Sequence, residues 1–310
     1  MTRVAAIDCG TNSIRLLVAD VENVGLNGAL LSDVTRQMRI VRLGEGVDRT
    51  GMLAPAAIAR TETALRDYAE EISRLGAERI RMVATSASRD AGNADDFAAM
   101  VRSVLGVDPE VITGDQEARL SFAGAVRDLP PNIGQPPYLI ADIGGGSTEL
   151  VLGVDTVTAA KSVNVGCVRL TERHLHDDPP TAAQIAAAEA DVVAAIAEAR
   201  QTVPVAQART LVGLAGTVST VVAIALGLPA YDATRIHHAT ATYEQVAEVT
   251  SMLLAATRAE RAALPVMHPG RVDVIGGGAT VLRVLMAEVG AASVVASEHD
   301  ILDGIAYALA

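Results

Sequence analysis

Tryptophan is absent from this 310-residue chain, and the aromatic residues together make up only 2% of it. Its cores must therefore be filled by alanine, valine, leucine and isoleucine, which suits buried strands covered by Ala-rich helices. Basic residues are also short, with 25 Lys and Arg against 37 Asp and Glu and a net charge of −12. That balance excludes a broad nucleic-acid surface, which needs a basic face. A polyanionic ligand would have to be gripped locally. The only cysteines are Cys9 and Cys167, with no Cys-x-x-Cys spacing, so neither a disulfide framework nor a thiolate zinc site is available. There is no uncharged apolar run of ~18 residues, and Asp8 interrupts the N-terminus before a signal-peptide core can form. Together these features predict a cytoplasmic protein with no membrane and no nucleic-acid partner.

What is present has α/β grammar. A single core tends to stop growing near ~250 residues, so two domains are expected. Val4–Ile7 and Leu16–Ala19 read as strands around the polar turn Asp8-Cys9-Gly10-Thr11-Asn12-Ser13. A helix over Pro55–Leu75, a strand over Ile80–Ala84, a helix over Phe97–Leu105, a strand over Pro109–Ile112 and a helix over Ala118–Val126 follow. Pro130, Pro131, Pro136 and Pro137 then punctuate a loop that places the boundary between domains 1–126 and 127–310. Sliding the chain by 134 residues puts Asp8, Gly10, Ser13 and Leu16 on Asp142, Gly144, Ser147 and Leu150, which points to an internal duplication. Beyond the second copy, helices are expected over Thr181–Gln201, Thr217–Ala225, Tyr243–Arg258 and Thr280–Val289, with strands over Leu211–Gly213 and Val272–Ile275. Ser297-Glu298-His299-Asp300 reads as a capping box for a last helix through Ala310, and this helix, about 298–310, is free to pack back on the first domain.

The densest chemistry lies in Asp142-Ile143-Gly144-Gly145-Gly146-Ser147-Thr148-Glu149. Consecutive glycines let backbone N–H groups approach an anion without a Cβ in the way, and a nest of such donors suits phosphate. Asp142 and Glu149 offer oxygens to a hard cation such as Mg2+, which commonly shares its shell with substrate phosphates. The first loop adds hydroxyl, amide and backbone donors, with Arg15 just beyond it. Two such loops imply a cleft between lobes. His237-His238 and His174-x-His176 lack the spacing of a zinc site. Gly276-Gly277-Gly278 reads equally well as an anion contact or as close helix packing.

Five ordered motifs then give the chain a resemblance over nearly its whole length. They are Ala6-Ile7-Asp8-Cys9-Gly10-Thr11-Asn12-Ser13, the run from Ala84 to Asn93 around Ser88-Arg89-Asp90, Ile112-Thr113-Gly114-Asp115-Gln116-Glu117-Ala118-Arg119-Leu120, the Gly144 loop, and Gly166-Cys167-Val168. The chain resembles the exopolyphosphatase and guanosine-pentaphosphate phosphohydrolase family, within the sugar-kinase, heat-shock-protein and actin superfamily. The resemblance implies a two-lobed actin-like α/β fold of duplicated ribonuclease-H-like domains. It implies Glu117 as the base that activates water. Gly10, Thr11, Asn12, Ser13, Arg89, Gly144, Gly145, Gly146, Ser147, Thr148, Cys167, Gly216 and Thr217 become phosphate contacts. Asp142 and Glu149 become the ligands of Mg2+, or of Mn2+ in its place. Gln116 departs from the family pattern, which commonly has glutamate there.

The implied reaction is hydrolysis of a terminal phosphoanhydride, with polyphosphate, short chains above all, or guanosine pentaphosphate as substrate, and a homodimer as the assembly. A kinase of the same superfamily and a non-catalytic sensor of guanosine tetraphosphate or polyphosphate are the rival readings. The first would need ATP, and the second draws only on Gln116.

Overall fold

The structure is a computed structural model that describes residues 1–23, 29–127, 129–130 and 132–309. Pro131 and Ala310, which entered the sequence reading above, lie outside the described residues. The chain divides into two compact units, one comprising Met1–Gly124 with Ile301–Ala310 and the other Ala125–Asp300.

The first unit is built on the strands β1 (Thr2–Cys9), β2 (Ser13–Asn23), β3 (Ala29–Ile40), β4 (Arg79–Ala84) and β5 (Glu110–Val111), in the sheet order β3-β2-β1-β4-β5. β1 to β3 form an antiparallel meander, while β4 joins β1, and β5 joins β4, in parallel. Successive residues of β1 face opposite sides of the sheet. Ala5, Ile7 and Cys9 pack with Leu65, Tyr68, Phe97 and Val101 from the helices Pro55–Leu75 and Ala94–Leu105. Val4 and Ala6 pack with Ile301, Leu302 and Ile305 of the final helix, Ile301–Tyr307. Burial on both faces explains why β1 reads as a nearly unbroken apolar run.

The second unit repeats this plan with β6 (Tyr138–Ile143), β7 (Thr148–Gly153), β8 (Val157–Val163), β9 (Thr210–Leu214), β10 (Thr240–Thr242) and β11 (Ser293–Ala296), ordered β10-β11-β9-β6-β7-β8. Read from β8, the order matches the first sheet, with β10 added antiparallel at the far edge. The offset of 134 holds to the residue: β1 and β2 close on the pair Cys9 and Ile14, β6 and β7 on Ile143 and Thr148. Each unit thus carries the ribonuclease-H-like strand order, and the chain is the duplicated actin-like α/β fold expected.

Several elements differ from expectation for local reasons. Val272–Ile275 is not a strand: Pro269–Arg271 forms a 3-10 turn and Ile275 opens the helix Ile275–Val289, while the parallel place beside β9 is filled by β11. The helix from Tyr243 ends at Ala255, because Thr257 caps a separate helix, Arg258–Ala262, through a box with Glu260. Ser297 does not cap the last helix. Its Oγ closes a local turn, donating to the His299 carbonyl at 2.8 Å and accepting the His299 N–H at 3.1 Å.

Candidate functional site

Each unit presents its chemistry at the β-turn that joins its first two strands. In the second unit the Gly144 N–H donates to the Ser147 carbonyl at 3.0 Å, the counterpart of Gly10 N–H to Ser13 carbonyl at 3.0 Å in the first. The glycine turn is buttressed by the helix Cys167–His174. The Cys167 N–H donates to the Gly144 carbonyl at 2.9 Å, and the N–H groups of Val168 and Arg169 share the Gly145 carbonyl at 2.9 and 3.0 Å. Gly166 permits this contact, since a Cβ there would fall 2.7 Å from the Gly144 and Gly145 carbonyl oxygens. The backbone N–H of Cys167 is therefore committed to the shape of the loop. Its thiol is buried, and burial pushes it up to about 11 against the weaker opposing pull of Thr217 and Arg271.

Asp142 and Glu149 are directly opposed across β6 and β7, so their side chains project from the same face of the sheet. Both are buried, and Glu149 Oε1 accepts a hydrogen bond of 2.7 Å from Ser162 Oγ on β8. An all-oxygen donor pair is the chemistry Mg2+ selects. The residues fit a hard divalent cation. Ser147 and Thr148 are also buried here, with Thr148 Oγ1 donating to the Val165 carbonyl at 2.6 Å.

Gly216 and Thr217 begin the helix Ala215–Ala225 directly after β9. The entry is tight: Ala215 takes φ +67°, a left-handed conformation that is costly for a residue with a Cβ. Thr217 lies against Gly278, where a Cβ would come within 2.4 Å of its hydroxyl, and a Cβ at Gly277 would come within 2.9 Å of the Cys167 carbonyl. The glycines of 276–278 thus serve close packing of helix Ile275–Val289 beneath both loops. Sequence reasoning missed Arg271. Its guanidinium lies over Gly216, where a Cβ would meet Nη2 at 2.2 Å, and its Nη1 donates to Thr220 Oγ1 at 3.0 Å. No motif marks it, since the turn that delivers it was read as the approach to a strand. A cavity of about 640 Å³ lies at the other ends of these strands, lined by Leu139, Thr210, Leu211 and Ser293 among others, and includes none of these loop residues.

In the first unit the turn of residues 10–13 is held from β3's continuation: Thr11 O accepts from Gly44 N at 2.8 Å, and Asn12 O from Val41 and Arg42 N at 3.0 and 2.9 Å. Thr11 Oγ1 and Ser86 Oγ bond at 2.8 Å, tying the turn to the short helix Ser86–Asp90 that carries Arg89. Arg89 Nη1 donates to the Ile112 carbonyl at 2.9 Å and to Glu117 Oε2 at 3.1 Å. Glu117 is buried near the start of the helix Gly114–Val126. Arg89 thus forms an ion pair with Glu117. Gln116 completes a capping box, with its Oε1 accepting the Thr113 N–H at 2.9 Å and its N–H reaching Thr113 Oγ1 at 3.3 Å. Amide and carboxylate serve this cap alike, which explains the departure from glutamate.

Among the first unit's candidates the structure links Arg89 to Glu117 directly and Thr11, through Ser86, to the helix that carries Arg89; in the second it gathers Gly144–Thr148, Cys167, Thr217 and the pair Asp142 and Glu149. The model of the Ppx/GppA phosphatase family matches residues 17–310. Exopolyphosphatase 2 of Mycobacterium tuberculosis is 54% identical, over 100% of this chain and 99% of its own length. A guanosine-5'-triphosphate,3'-diphosphate pyrophosphatase of Aeromonas salmonicida is 31% identical over 98% of this chain and 59% of its own. The crystal structure of an exopolyphosphatase-like protein superposes with a TM-score of 0.93 at 44% identity, over 98% of this chain and 97% of that one. The chain belongs to the Ppx/GppA phosphatase family.

Proposed function

We propose that this protein is an exopolyphosphatase that releases terminal orthophosphate from inorganic polyphosphate, with short chains preferred. The observation that carries this reading is the end-to-end identity of 54% with a protein named for that activity. The buried Glu117, held by Arg89, and the glycine turn flanked by paired acids supply chemistry to match.

In the proposed reaction a water oxygen attacks the terminal phosphorus in line with the bridging oxygen. The P–O bridge breaks, the shortened chain leaves, and Glu117 takes the water's proton and returns it to solvent. General-base help of this kind contributes roughly 10²–10⁴-fold. Arg89 uses one nitrogen, Nη1, on Glu117 and Ile112, which leaves the rest of its fork for phosphate oxygens. The N–H groups and hydroxyls of residues 10–13, 144–148 and 216–217 that are not spent within the turns themselves bind and orient the phosphates. Asp142 and Glu149 would hold Mg2+, or Mn2+, which neutralises charge on phosphate oxygens. Electrostatic positioning supplies most of the rate.

The likeness to a relative named for guanosine pentaphosphate favours that compound as the second substrate reading, since it presents the same terminal phosphoanhydride. A cytoplasmic location and a homodimer complete the proposal, and no described helix is long and apolar enough to cross a membrane. The deciding assay is phosphate release from short-chain polyphosphate, guanosine pentaphosphate and ATP with Mg2+, for the wild type and Glu117→Gln. Robust release from polyphosphate, lost in the variant and on chelation, supports the reading. Release from guanosine pentaphosphate alone transfers it to the second substrate, and no release from any of the three sinks the hydrolase.

A further inference from the structure

Thr85 follows the last residue of β4 and is buried, at 5% exposure. Its backbone is fully used: the N–H donates to the Cys9 carbonyl at 3.1 Å, and the carbonyl accepts the Arg89 N–H at 3.0 Å. Its hydroxyl is not. Thr85 stands at the N-cap of the five-residue helix Ser86–Asp90, where a threonine commonly accepts a backbone N–H, yet its side chain makes no such bond. Among the described residues its Oγ1 has no hydrogen-bond partner at all. Ser88 Oγ shares that lack but is sealed from solvent, whereas Thr85 Oγ1 is not. What Thr85 Oγ1 does approach is the first turn: it lies 3.8 Å from where a Cβ on Gly10 would stand. On the next residue, Ser86 Oγ bonds Thr11 Oγ1 of that turn at 2.8 Å. Two hydroxyls so joined spend one proton between them and keep the other to donate.

The duplication supplies a second, independent line. Val83 of β4 is beside Asp8 of β1, and Leu214 of β9 is beside Asp142 of β6. Two residues on, Thr85 therefore matches Gly216, and Ser86 matches Thr217. The step after the fourth strand is a candidate phosphate contact in the second unit, and the same step in the first unit carries the unspent hydroxyl. We propose that Thr85 Oγ1 is a further phosphate contact, donating its proton to a non-bridging oxygen of the polyphosphate chain. This rests on the phosphohydrolase reading of the turn beside it. The donor is the hydroxyl itself, not the dipole of a helix only five residues long. A buried hydroxyl without a partner costs stability, and a ligand oxygen supplies the acceptor that the fold withholds. Through its carbonyl Thr85 also anchors the helix that carries Arg89, so one residue both receives the chain and holds the element that presents the arginine.

The test is the affinity of the full-length protein for tripolyphosphate with Mg2+, by calorimetry in a Glu117→Gln background so that the ligand survives the titration, alongside the melting temperature. Thr85→Val keeps the branched shape and removes the donor. Its affinity should fall about 10–100-fold, the worth of a hydrogen bond to a charged group. Its melting temperature should stay level or rise, because an unpaired buried hydroxyl is gone. Thr85→Ser keeps the hydroxyl and should bind as the parent does. Parental affinity in Thr85→Val overturns the inference and leaves the hydrolase reading to be judged by phosphate release. An equal loss in Thr85→Ser overturns it too, since shape then governs. So does a Thr85→Val protein that no longer melts cooperatively, since the hydroxyl then serves the fold. Binding that weakens as expected, in a protein whose wild type releases no phosphate, upholds the contact and sinks the hydrolase. No binding by the parent sinks both.

Discussion

Glu117 and Arg89 meet at 3.1 Å in a buried setting, and each restrains the rotamer of the other. Glu117→Gln keeps the size of the side chain and can still accept from Arg89, yet it cannot take a proton. The expected result is a fall in kcat of about 10²–10⁴-fold with an unchanged far-UV circular dichroism spectrum and melting transition. Retained kcat would remove Glu117 from the chemistry. Cys167 supports the opposite kind of expectation. Burial raises its thiol to about 11, so the folded state favours the neutral form. The stability this confers is full below the ordinary thiol range near 8.5 and is lost as pH rises through 11. At pH 8 the thiol should therefore react with a disulfide reagent only after denaturant is added, and the activity profile between pH 6 and 9 should show no limb from it. Rapid labelling of the native protein would contradict this.

At the scale of elements, the glycine turn is only as good as the helix that supports it. Gly166→Ala sets a Cβ 2.7 Å from backbone atoms of Gly144 and Gly145, and backbone cannot swing away as a side-chain tip can. A cost of about 1–3 kcal/mol is expected for such overpacking, read as a lowered melting temperature together with a raised KM for polyphosphate. An unchanged KM would mean that the turn does not touch the substrate. The same distinction separates what sequence could show from what it could not. The helix Pro55–Leu75 was legible to the residue, because Pro55 opens it and Gly76, at φ +70°, closes it. The duplicated turns were legible because strand, glycine and hydroxyl recur in one frame. Val272–Ile275 misled because β-branched residues before glycines look like a strand, whereas the chain there is shaped by Pro269 and by how closely Gly277 and Gly278 let a helix approach. β11 passed unnoticed for the complementary reason, being four residues long and patterned only by its neighbours. Arg271 was invisible since nothing local distinguishes it from any surface arginine. Its significance comes from a contact with Gly216, more than fifty positions away.

For the whole molecule, the helix Ile301–Tyr307 matters most. It returns to the first unit, covers one face of the sheet through Ile301, Leu302 and Ile305, and anchors Asp303 to Arg36 on β3 at 2.5 Å. Gly304 lies so close to the preceding helix of that unit that a Cβ would fall 2.1 Å from the Leu120 carbonyl oxygen. Gly304→Ala should accordingly destabilise by about 1–3 kcal/mol or more, measured as a shift of the denaturant midpoint, while the equivalent change at Gly106, where a Cβ meets nothing but φ is +71°, should cost roughly 1 kcal/mol. Equal effects at the two positions would count against the packing described. The return of this helix also sets an order of events during synthesis. Residues 125–300 are contiguous and can close as soon as they leave the ribosome. The first unit, although begun earlier, must wait with Val4, Ala6, Leu17 and Ala19 uncovered until Ile301–Tyr307 has been made. A nascent chain released before Ile301 would present that bare sheet face to chaperones and proteases, which would mark a truncated copy without consulting its active site.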